Sequence, residues 1–382
     1  MNKNLLVSII INNYNYGHFL KEAIDSAINQ THDNIEVIVV DDGSTDNSRD
    51  VIKSYGDRVI AVFKENGGQG SAYNAGFFKS HGQLICNLDA DDTLLPTAMA
   101  RNIPFFENQE IVKVQWPLWI VDSSGIQTKQ MTTKSAPPEG DLKEFVLRDG
   151  PFYDFNFHVG SVVKRTFLEN IFPMPEPPYR NGGDVYLTTL APIFGQIRNI
   201  MEPLGTYRAH GANNYFGREL DENRIRNYIA RFETNCNALQ KYAKKLGIDA
   251  DSELWKKRNF NYLWPQRLLQ AKKDIESLIP EGKKYILVNE DEWGRGEPVP
   301  NRHAILFLER DGEYAGFPVD DTMAIRELER LRDLGTHYLI FWWTQFWWFE
   351  HYARFYEYVC SVFPCVLKND RLVVFDLHQR IS

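Results

Sequence analysis

The first 95 residues alternate short apolar stretches with segments of helical spacing, and this alternation restricts the fold more than any other feature. LLVSIII at 5–11, IEVIVVDD at 35–42, VIAVFKE at 59–65 and QLICNLDADD at 83–92 have the length and composition of strands. GHFLKEAIDSAINQT at 17–31 places its apolar residues at helical spacing. Repeated strand–helix units with unbroken apolar strands predict a parallel sheet that helices cover on both faces.

Polar side chains follow three of these strands at the point where each strand ends. They are Asn12–Asn15, Asp41–Asp42 and Asp89–Asp92. In open parallel sheets, ligands bind in the crevice beyond the carboxyl ends of the strands. We therefore expect these three clusters, which are distant in sequence, to converge on one crevice.

The stretch NLDADDTLLP carries three carboxylates within four positions. Residues i and i+2 of a strand point to the same side, so Asp89 and Asp91 can face one ligand together. Hard cations such as Mg²⁺ prefer carboxylate oxygens, so this pair is suited to a divalent cation. We expect Asp92 to cap the following turn or helix. The alternative is that all three acids are solvated caps at a strand end.

Beyond residue 96 the alternation becomes mixed, with a loop-rich stretch, a helix beginning at GGDVYL and a strand that leads into YRAHG. A charge-rich segment of helical spacing follows, and IPEGKKY marks a boundary after it. We predict three parts: a first α/β domain at 1–218, a helical extension or linker at 219–280, and a small α/β domain at 281–382.

The composition describes an ordinary globular protein of 382 residues, 43% hydrophobic and 25% charged. Its net charge of −8 argues against nucleic acid as the main partner, because phosphate binding depends on basic surface.

No run of about 18 apolar residues predicts a membrane span. The N-terminus shows no secretion signal, and the four cysteines lack zinc-site or redox spacing. We expect a cytoplasmic protein, either free or peripheral to the inner membrane.

Four motifs occur in order along the first 100 residues: VSIIINNYN, VVDDGSTD, NGGQGSAYNAGF and LDADDTLLP. In this order and spacing they resemble the inverting family 2 glycosyltransferases. The resemblance implies the GT-A fold, a Rossmann-like nucleotide-binding sheet with helices on both faces. It extends more loosely through NGGDVYL and YRAHGANN to about residue 215. Each motif alone is weak, so the ordered set carries the resemblance.

The resemblance implies roles for the acidic side chains. Asp184 is the expected catalytic base, which takes the proton of the acceptor hydroxyl. Asp91 is the expected ligand of Mn²⁺ or Mg²⁺, with Asp89 as its partner and His210 as a further metal contact. Arg208 either supports the diphosphate or pairs at the surface. Structural readings stay open for Asp184, as a plain helix N-terminal acid, and for His210.

A nucleotide site is implied as well. Its predicted residues are Asn12, Tyr14, Asp42, Gly68, Asn74 and Asp89. Asp42 is expected to face the base, whereas Asp41 is equally suited to interacting with a helix dipole or to bracing the loop. The sequence departs from the family pattern at two positions: Tyr73 stands where many members carry Arg, and Gly183 replaces the Glu of a Glu-Asp pair.

The sequence therefore predicts a metal-dependent inverting glycosyltransferase. It would move one sugar from a nucleotide-sugar, first of all a UDP-sugar, to a hydroxyl of a glycan or lipid-linked glycan precursor. A processive synthase would carry a Gln-x-x-Arg-Trp motif and membrane spans, whereas this chain shows PQRLL at 265–269. Two alternatives stay open. One is a nucleotidyltransferase on the same fold, and the other is a sugar-nucleotide-binding protein without turnover.

The C-terminal part contains an aromatic cluster, FWWTQFWWFEHY at 341–352. Core packing or an interface between copies of the chain is the first interpretation, and a sugar-stacking platform is the alternative. Glu290, Asp291 and Glu292 have no partner motif, so we expect a solvated loop there.

Overall fold

The computed structural model describes residues 4–133, 135–151, 160–211, 213, 221–288, 299–310 and 313–381. The chain divides into two compact units, Met1–Gly217 with Ala230–Asn259, and Arg218–Ile229 with Phe260–Ser382. The helical stretch 219–280, which the sequence predicts as a separate extension, is thus shared between the two units. The predicted loop with Glu290, Asp291 and Glu292 lies outside the described residues.

The first unit contains the strands β1 (Val7–Asn13), β2 (Ile35–Asp42), β3 (Ile60–Lys64), β4 (Leu84–Asp89), β5 (Thr93–Leu94), β6 (Ile111–Trp116), β7 (Trp119–Val121), β8 (Gln127–Met131), β9 (Gly160–Lys164), β10 (Gln196–Asn199) and β11 (Gly205–Arg208). Its helices are α1 (Gly17–Ile28), α2 (Ser48–Ser54), α3 (Gln69–Lys79), α4 (Ala98–Asn102), α5 (Lys143–Asp149), α6 (Arg165–Ile171) and α7 (Gly183–Phe194). Helix α8 (Glu222–Lys245) begins in the second unit and continues into the first, which also holds α9 (Ser252–Arg258).

Seven of the described strands form the main sheet, in the order β10-β6-β9-β4-β1-β2-β3. β1 pairs in parallel with β2 and β4, β2 with β3, and β6 with β10. β9 runs antiparallel to both β4 and β6, so the sheet is mixed. The predicted α/β class with a mixed sheet is confirmed.

Helices cover both faces of this sheet. Ile24 of α1 packs in one core with Ile9 and Ile11 of β1. Ile10 points to the opposite face, where Gly76 of α3 lies against it. A Cβ atom at Gly76 would approach Ile10 Cγ2 to 2.3 Å, so the close contact of α3 with the sheet requires glycine there. Burial on both faces explains the apolar sequences of β1 and β2.

A second sheet, in the order β5-β11-β7-β8, positions the chain that follows the acidic motif. β5 begins directly after Asp92 and pairs antiparallel with β11. The hydroxyl groups of Thr93 and Thr206 lie 2.6 Å apart across this pair. The pairing therefore brings the residues that follow β11 next to the acidic motif.

The second unit contains α10 (Phe260–Leu278), β12 (Lys284–Val288), β13 (His303–Leu306), β14 (Glu309–Arg310), β15 (Glu313–Tyr314), α11 (Asp321–Asp333), β16 (Tyr338–Trp342), α12 (Trp348–His351), α13 (Ala353–Val362), β17 (Cys365–Lys368) and β18 (Leu372–Asp376). Its main sheet has the order β13-β12-β16-β18-β17, parallel across the first three strands and antiparallel across the rest. It is an α/β unit with its own apolar cores.

The aromatic cluster contributes mainly to these cores. Phe341, Trp342, Trp348 and Tyr352 are buried, and Trp347 is 38% exposed. Four of the eight Phe, Trp and Tyr rings in the cluster are therefore inaccessible to a sugar face. Among the described residues, no helix combines the length and the apolar character needed to cross a membrane.

Candidate functional site

The carboxyl ends of β1, β2 and β4 lie side by side, so the three predicted polar clusters meet. Asn12 is aligned with Asp89 on β4, and Asn13 is aligned with Asp41 on β2. Asn12 Nδ2 donates a hydrogen bond to Asp89 Oδ1 at 2.9 Å, and Asn13 Nδ2 donates to Asp41 Oδ1 at 3.2 Å. Arg49 Nε also contacts Asp41, which is buried. Asp41 therefore braces the loop, as one of its two interpretations proposed.

Asp89, Asp91 and Asp92 form a compact acidic cluster. One carboxylate oxygen from each lies within 4.8 Å of the others. Asp92 is buried, and its carboxylate accepts a hydrogen bond from the backbone N–H of Arg208 at 2.9 Å. It thus supports β11 instead of capping the next helix, where Thr97 is the N-cap residue. The β5–β11 pairing explains the difference, because it brings the Arg208 N–H within reach.

The cluster carries negative charge in a buried place. Burial, and next the charge of Asp91, raise the pKa of Asp89 to about 7. Burial and the two neighbouring acids raise the pKa of Asp92 well above its usual range. Carboxylates this close together repel one another when all are ionised, and a positive charge between them removes this repulsion. The set therefore fits a hard divalent cation, which takes carboxylate oxygens as ligands.

Arg208 does not place its guanidinium on the acidic carboxylates. Its Nε donates to the backbone oxygen of Asp91 at 3.0 Å, and its second guanidinium nitrogen pairs with Glu22 at 2.6 Å. The guanidinium also lies 4.6 Å from the ring centre of Phe19. Arg208 itself is buried, and it holds the acidic loop through the Asp91 backbone while its ion-pair partner Glu22 is largely exposed.

His210 lies against the acidic cluster, as predicted. Its Nε2 is 3.0 Å from Asp91 Oδ2, and both side chains are largely buried. The imidazole packs against Tyr16 and Phe19 of the α1 region, with ring centroids 5.5 Å and 5.3 Å away. The ring is therefore fixed with one nitrogen directed at Asp91, an arrangement that suits a metal ligand.

Asp42 is engaged by the glycine-rich motif. Its carboxylate accepts hydrogen bonds from Gly67 N at 3.0 Å and Gly68 N at 2.6 Å, and it pairs with Lys64 Nζ at 2.5 Å. Asn66 Nδ2 adds a fourth contact at 3.2 Å. A base could reach this carboxylate only by displacing one of these donors, so contact between Asp42 and a base stays a prediction.

Other predicted nucleotide residues also have protein partners. Gly68 has φ +87°, and a Cβ atom there would lie 2.4 Å from the backbone oxygen of Arg180. The buried Asn74 donates to Met174 O at 3.0 Å and accepts from Met174 N at 2.9 Å. Both residues therefore dock the segment around 174–180 on α3. Tyr14, which directly follows β1, is 47% exposed.

Gln69 connects three parts of the site, and the sequence analysis did not single it out. Its Nε2 donates to Asp89 Oδ1 at 3.2 Å. Its Oε1 accepts from Gly182 N at 2.8 Å and from Gly183 N at 2.9 Å, at the start of α7. The only signal in the sequence is its position between the glycines of NGGQG.

Asp184 lies in the first turn of α7 and is exposed. It lines a pocket together with Asp89, Asp92, Tyr73 and Lys113. The predicted base and part of the acidic cluster therefore share one pocket.

The two departures from the family pattern are in contact with each other. A Cβ atom at Gly183 would lie 2.9 Å from Cδ2 of the Tyr73 ring. Tyr73 is buried and lies within reach of Gln69, whose Nε2 is 3.4 Å from the tyrosine hydroxyl. The aromatic ring thus occupies space that a larger residue at 183 would need, and the two departures match each other.

Lys113 is a further residue of the pocket that the sequence analysis missed. It is buried in the middle of β6, and its Nζ donates to Thr188 Oγ1 at 2.8 Å. Burial lowers its pKa to about 8, and the charge of Asp184 opposes this shift. A lysine within the strand-like run IVKVQW was the available signal.

Comparisons with known proteins show which proteins this chain is similar to. Residues 8–172 match the family model described as glycosyl transferase family 2. An uncharacterized glycosyltransferase of Nostoc sp. is 38% identical over 213 residues, which cover 55% of this chain and 66% of the relative. The hyaluronan synthase of Pasteurella multocida is 45% identical over 102 residues, which cover 26% of this chain and 10% of that protein. An uncharacterized glycosyltransferase of Rickettsia prowazekii is 43% identical over 110 residues, 28% of this chain and 35% of the relative.

The chain spans 66% of the length of the Nostoc relative and 35% of the Rickettsia relative. Among solved structures, S. aureus TarS in complex with UDP-GlcNAc aligns over 72% of this chain and 76% of its own, with a TM-score of 0.49 and 16% identity.

Proposed function

Because residues 8–172 make the chain a member of glycosyl transferase family 2, we propose that it transfers one sugar from a nucleotide-sugar to a hydroxyl group, with inversion at the anomeric carbon. The observation that carries this proposal is the shared pocket, which Asp89, Asp92 and Asp184 line together. One crevice then contains carboxylates that can bind a metal ion together with a candidate base. Displacement of a diphosphate by a hydroxyl group requires both, the metal ion for the leaving group and the base for the hydroxyl proton.

Asp91, Asp89 and His210 would hold the divalent cation, Mn²⁺ or Mg²⁺. Their support is the close spacing of the acids and the contact of His210 with Asp91. The bound ion would neutralise charge on the diphosphate leaving group. Within the chain, Arg208 keeps the acidic loop in place through the Asp91 backbone.

Asp184 would take the proton of the acceptor hydroxyl. Its carboxylate is exposed at the start of a helix that Gln69 fixes through two backbone N–H groups. The same glutamine contacts Asp89, so one side chain sets the position of the base relative to the acidic cluster. Fixed geometry of this kind is the main requirement for efficient proton transfer.

The proposed donor is a UDP-sugar, and the proposed acceptor is a glycan or lipid-linked glycan precursor. Both rest on the motif resemblance, and Asn12 and Tyr14 at the crevice are the residues we would test first for nucleotide contact. A location in the cytoplasm or at the inner membrane, and association of copies through the second unit, belong to the same proposal.

The test is the release of nucleoside diphosphate from a panel of nucleotide-sugars with Mn²⁺, with and without candidate glycan acceptors. Asp184→Asn should reduce acceptor-dependent release by at least about 100-fold while nucleotide affinity stays unchanged, because a general base contributes roughly 10²–10⁴ to the rate. Asp50→Asn is the matched control, since Asp50 is likewise an exposed acid in the first turn of a helix. It should leave the rate unchanged.

Equal effects of the two substitutions would show that Asp184 is a plain helix-terminal acid. No release from any donor, together with unchanged nucleotide affinity of Asp91→Ala, would contradict the glycosyltransferase proposal as a whole. Nucleotide affinity that depends on Asp91 without turnover would instead favour a binding protein.

A further inference from the structure

Lys113 is a buried cation in the core of the first unit. It lies in β6, a strand in which every residue is buried, and only 2% of its surface is exposed. Val163 of β9 and Ile197 of β10 are its neighbours in the sheet. Lysine is almost never found fully buried unless it is paired, so this position needs an explanation.

The side chain reaches from the sheet to α7. Its Nζ donates to Thr188 Oγ1 at 2.8 Å. Thr188 and Asp184 are one helical turn apart, so they lie on the same face of α7. Both residues line the pocket with Lys113. The ammonium group and the candidate base therefore face the same space.

The protein satisfies Lys113 only in part. An ammonium group has three N–H donors, and within the described part of the chain Thr188 is its one hydrogen-bond partner. A buried polar group without partners costs free energy, and an apolar side chain of similar length would avoid this cost. The lowered pKa, about 8, reflects the same cost. A ligand that accepts hydrogen bonds would remove it.

The pocket determines which ligand fits. Asp89, Asp92 and Asp184 line the pocket beside the lysine, so their negative charge disfavours an anionic ligand next to Lys113. A sugar hydroxyl both accepts and donates a hydrogen bond. It can therefore accept from Lys113 and donate to Asp184 at the same time.

We propose that Lys113 is a catalytic residue that binds the oxygen of the acceptor hydroxyl while Asp184 takes the proton of that hydroxyl. This rests on the proposed function. The O–H bond breaks with its proton passing to the Asp184 carboxylate, and the oxygen uses an electron pair to bond to the anomeric carbon. The bond from that carbon to the diphosphate breaks, and its electron pair leaves with the diphosphate. The ammonium stabilises the negative charge that grows on the attacking oxygen.

The experiment compares Lys113→Met with Lys164→Met in the chain of 382 residues. Methionine keeps the length of the side chain and removes its charge. Lys164 is on the neighbouring strand β9, and its Nζ contacts the backbone oxygen of Gln109 at 2.7 Å, so it is a lysine of the same sheet with a structural contact. Each variant is assayed for kcat and KM of transfer, for KM of the nucleotide-sugar and for its unfolding temperature.

Lys113→Met should lower kcat by at least about 100-fold, with the donor KM within about threefold of the original. Its unfolding temperature should be equal or higher, because a buried charge has been removed. Lys164→Met should keep kcat within about threefold. If Lys113 has only a structural role, Lys113→Met should instead lower the unfolding temperature and leave kcat per folded molecule unchanged.

Thr188→Val provides a second variant that keeps the lysine and removes its anchor. It should lower kcat about three- to tenfold without a change of donor KM. If Lys113→Met does not fold, an unchanged kcat in Thr188→Val overturns the inference, and a lowered kcat supports it. An unmodified protein without transfer from any donor overturns the proposed function and this role together. An active protein whose kcat survives Lys113→Met overturns only the role of Lys113.

Discussion

The carboxyl group of Asp89 links the stability of the protein to pH. Its pKa is raised to about 7 by burial and by Asp91, whereas an unfolded aspartate titrates near pH ~4. Between these values the native state holds a proton that the unfolded chain has lost. The free energy of unfolding of the metal-free protein should therefore fall as pH rises from about 4 to about 7, and this contribution should level off above pH ~7.

Denaturant unfolding of the original chain and of Asp89→Asn checks this prediction. The stability of the original relative to the variant should decrease between pH 5 and pH 8, and Mn²⁺ should stabilise the original more at pH 8, where the carboxylate is ionised. A difference that is independent of pH would show that Asp89 is already ionised at pH 5. Asp50→Asn, at an exposed position, serves as the control.

Tyr73 and Gly183 should behave as a coupled pair. Gly183→Ala would bring a Cβ atom to 2.9 Å from the Tyr73 ring, so it should destabilise the chain by about 1–3 kcal/mol. In a Tyr73→Leu background the same substitution should cost less, because the smaller side chain leaves room. A double-mutant cycle by thermal unfolding measures the coupling, and additive effects would contradict the contact.

Single residues of the site differ in how far the sequence reveals them. Asp89, Asp91 and His210 come together as expected, because strand ends and motif order determine their positions. Lys113 and Gln69 were not expected. Their roles depend on contacts with α7, which is more than 70 residues away along the chain, and no local pattern records such contacts.

Helix α7 depends on Gln69 for its position. Its N-terminus has no side-chain cap of its own, and the amide oxygen of Gln69 accepts from the backbone N–H groups of Gly182 and Gly183. Gln69→Ala should lower stability by about 1–3 kcal/mol, since buried donors lose their partner. It should also lower kcat by at least about tenfold, because Asp184 loses its fixed position relative to Asp89.

Gln30→Ala is the matched control for this prediction. Gln30 is buried, accepts from the backbone N–H of Met99 at 3.0 Å and donates to Leu95 O at 2.9 Å. Its loss should lower stability to a similar degree while kcat per folded molecule stays the same. Equal effects of both substitutions on kcat would mean that Gln69 acts only through stability. Steady-state kinetics and chemical unfolding of the two variants give both readouts.

Elements with a strong local pattern were predicted well, and elements that depend on pairing were not. β1, β2, β3 and β4 follow the apolar runs, and the parallel pairing of β1 with β2 and β4 follows from the helices between them. The antiparallel insertion of β9 between β4 and β6 has no such signal. GSVVK is a short apolar run, and its direction is decided by a connection that sequence periodicity does not describe.

At the scale of the whole molecule, one helix belongs to two compact units. Ile225, near the start of α8, is buried in a core of the second unit. Further along the same helix Cys236 and Leu239 are buried, and the Tyr242 hydroxyl contacts Tyr186 of α7 in the first unit. The sequence suggests a helical extension or linker here, because the segment is rich in charged residues. The apolar residues are instead divided between two cores.

Ligands should therefore stabilise the two units differently. All candidate site residues lie in the first unit, and a ligand raises the stability of the part that it binds by mass action. Mn²⁺ with a nucleoside diphosphate should slow amide hydrogen exchange in β1 and β4 and should leave exchange in β16 and β18 unchanged.

Calorimetry gives the corresponding thermal test, and in a variant with phenylalanine at Trp116, Trp119 and Trp255 of the first unit, Trp342, Trp343, Trp347 and Trp348 are fluorescent reporters of the second unit. The first-unit transition should move to higher temperature with ligand, and the tryptophan-detected transition should stay where it is. A single transition that shifts as a whole would show that α8 couples both cores into one cooperative unit, because half of the helix cannot lose its packing without the other half. Ile225→Ala distinguishes independent unfolding from one cooperative transition. If the units unfold independently, this substitution should lower only the temperature of the tryptophan-detected transition.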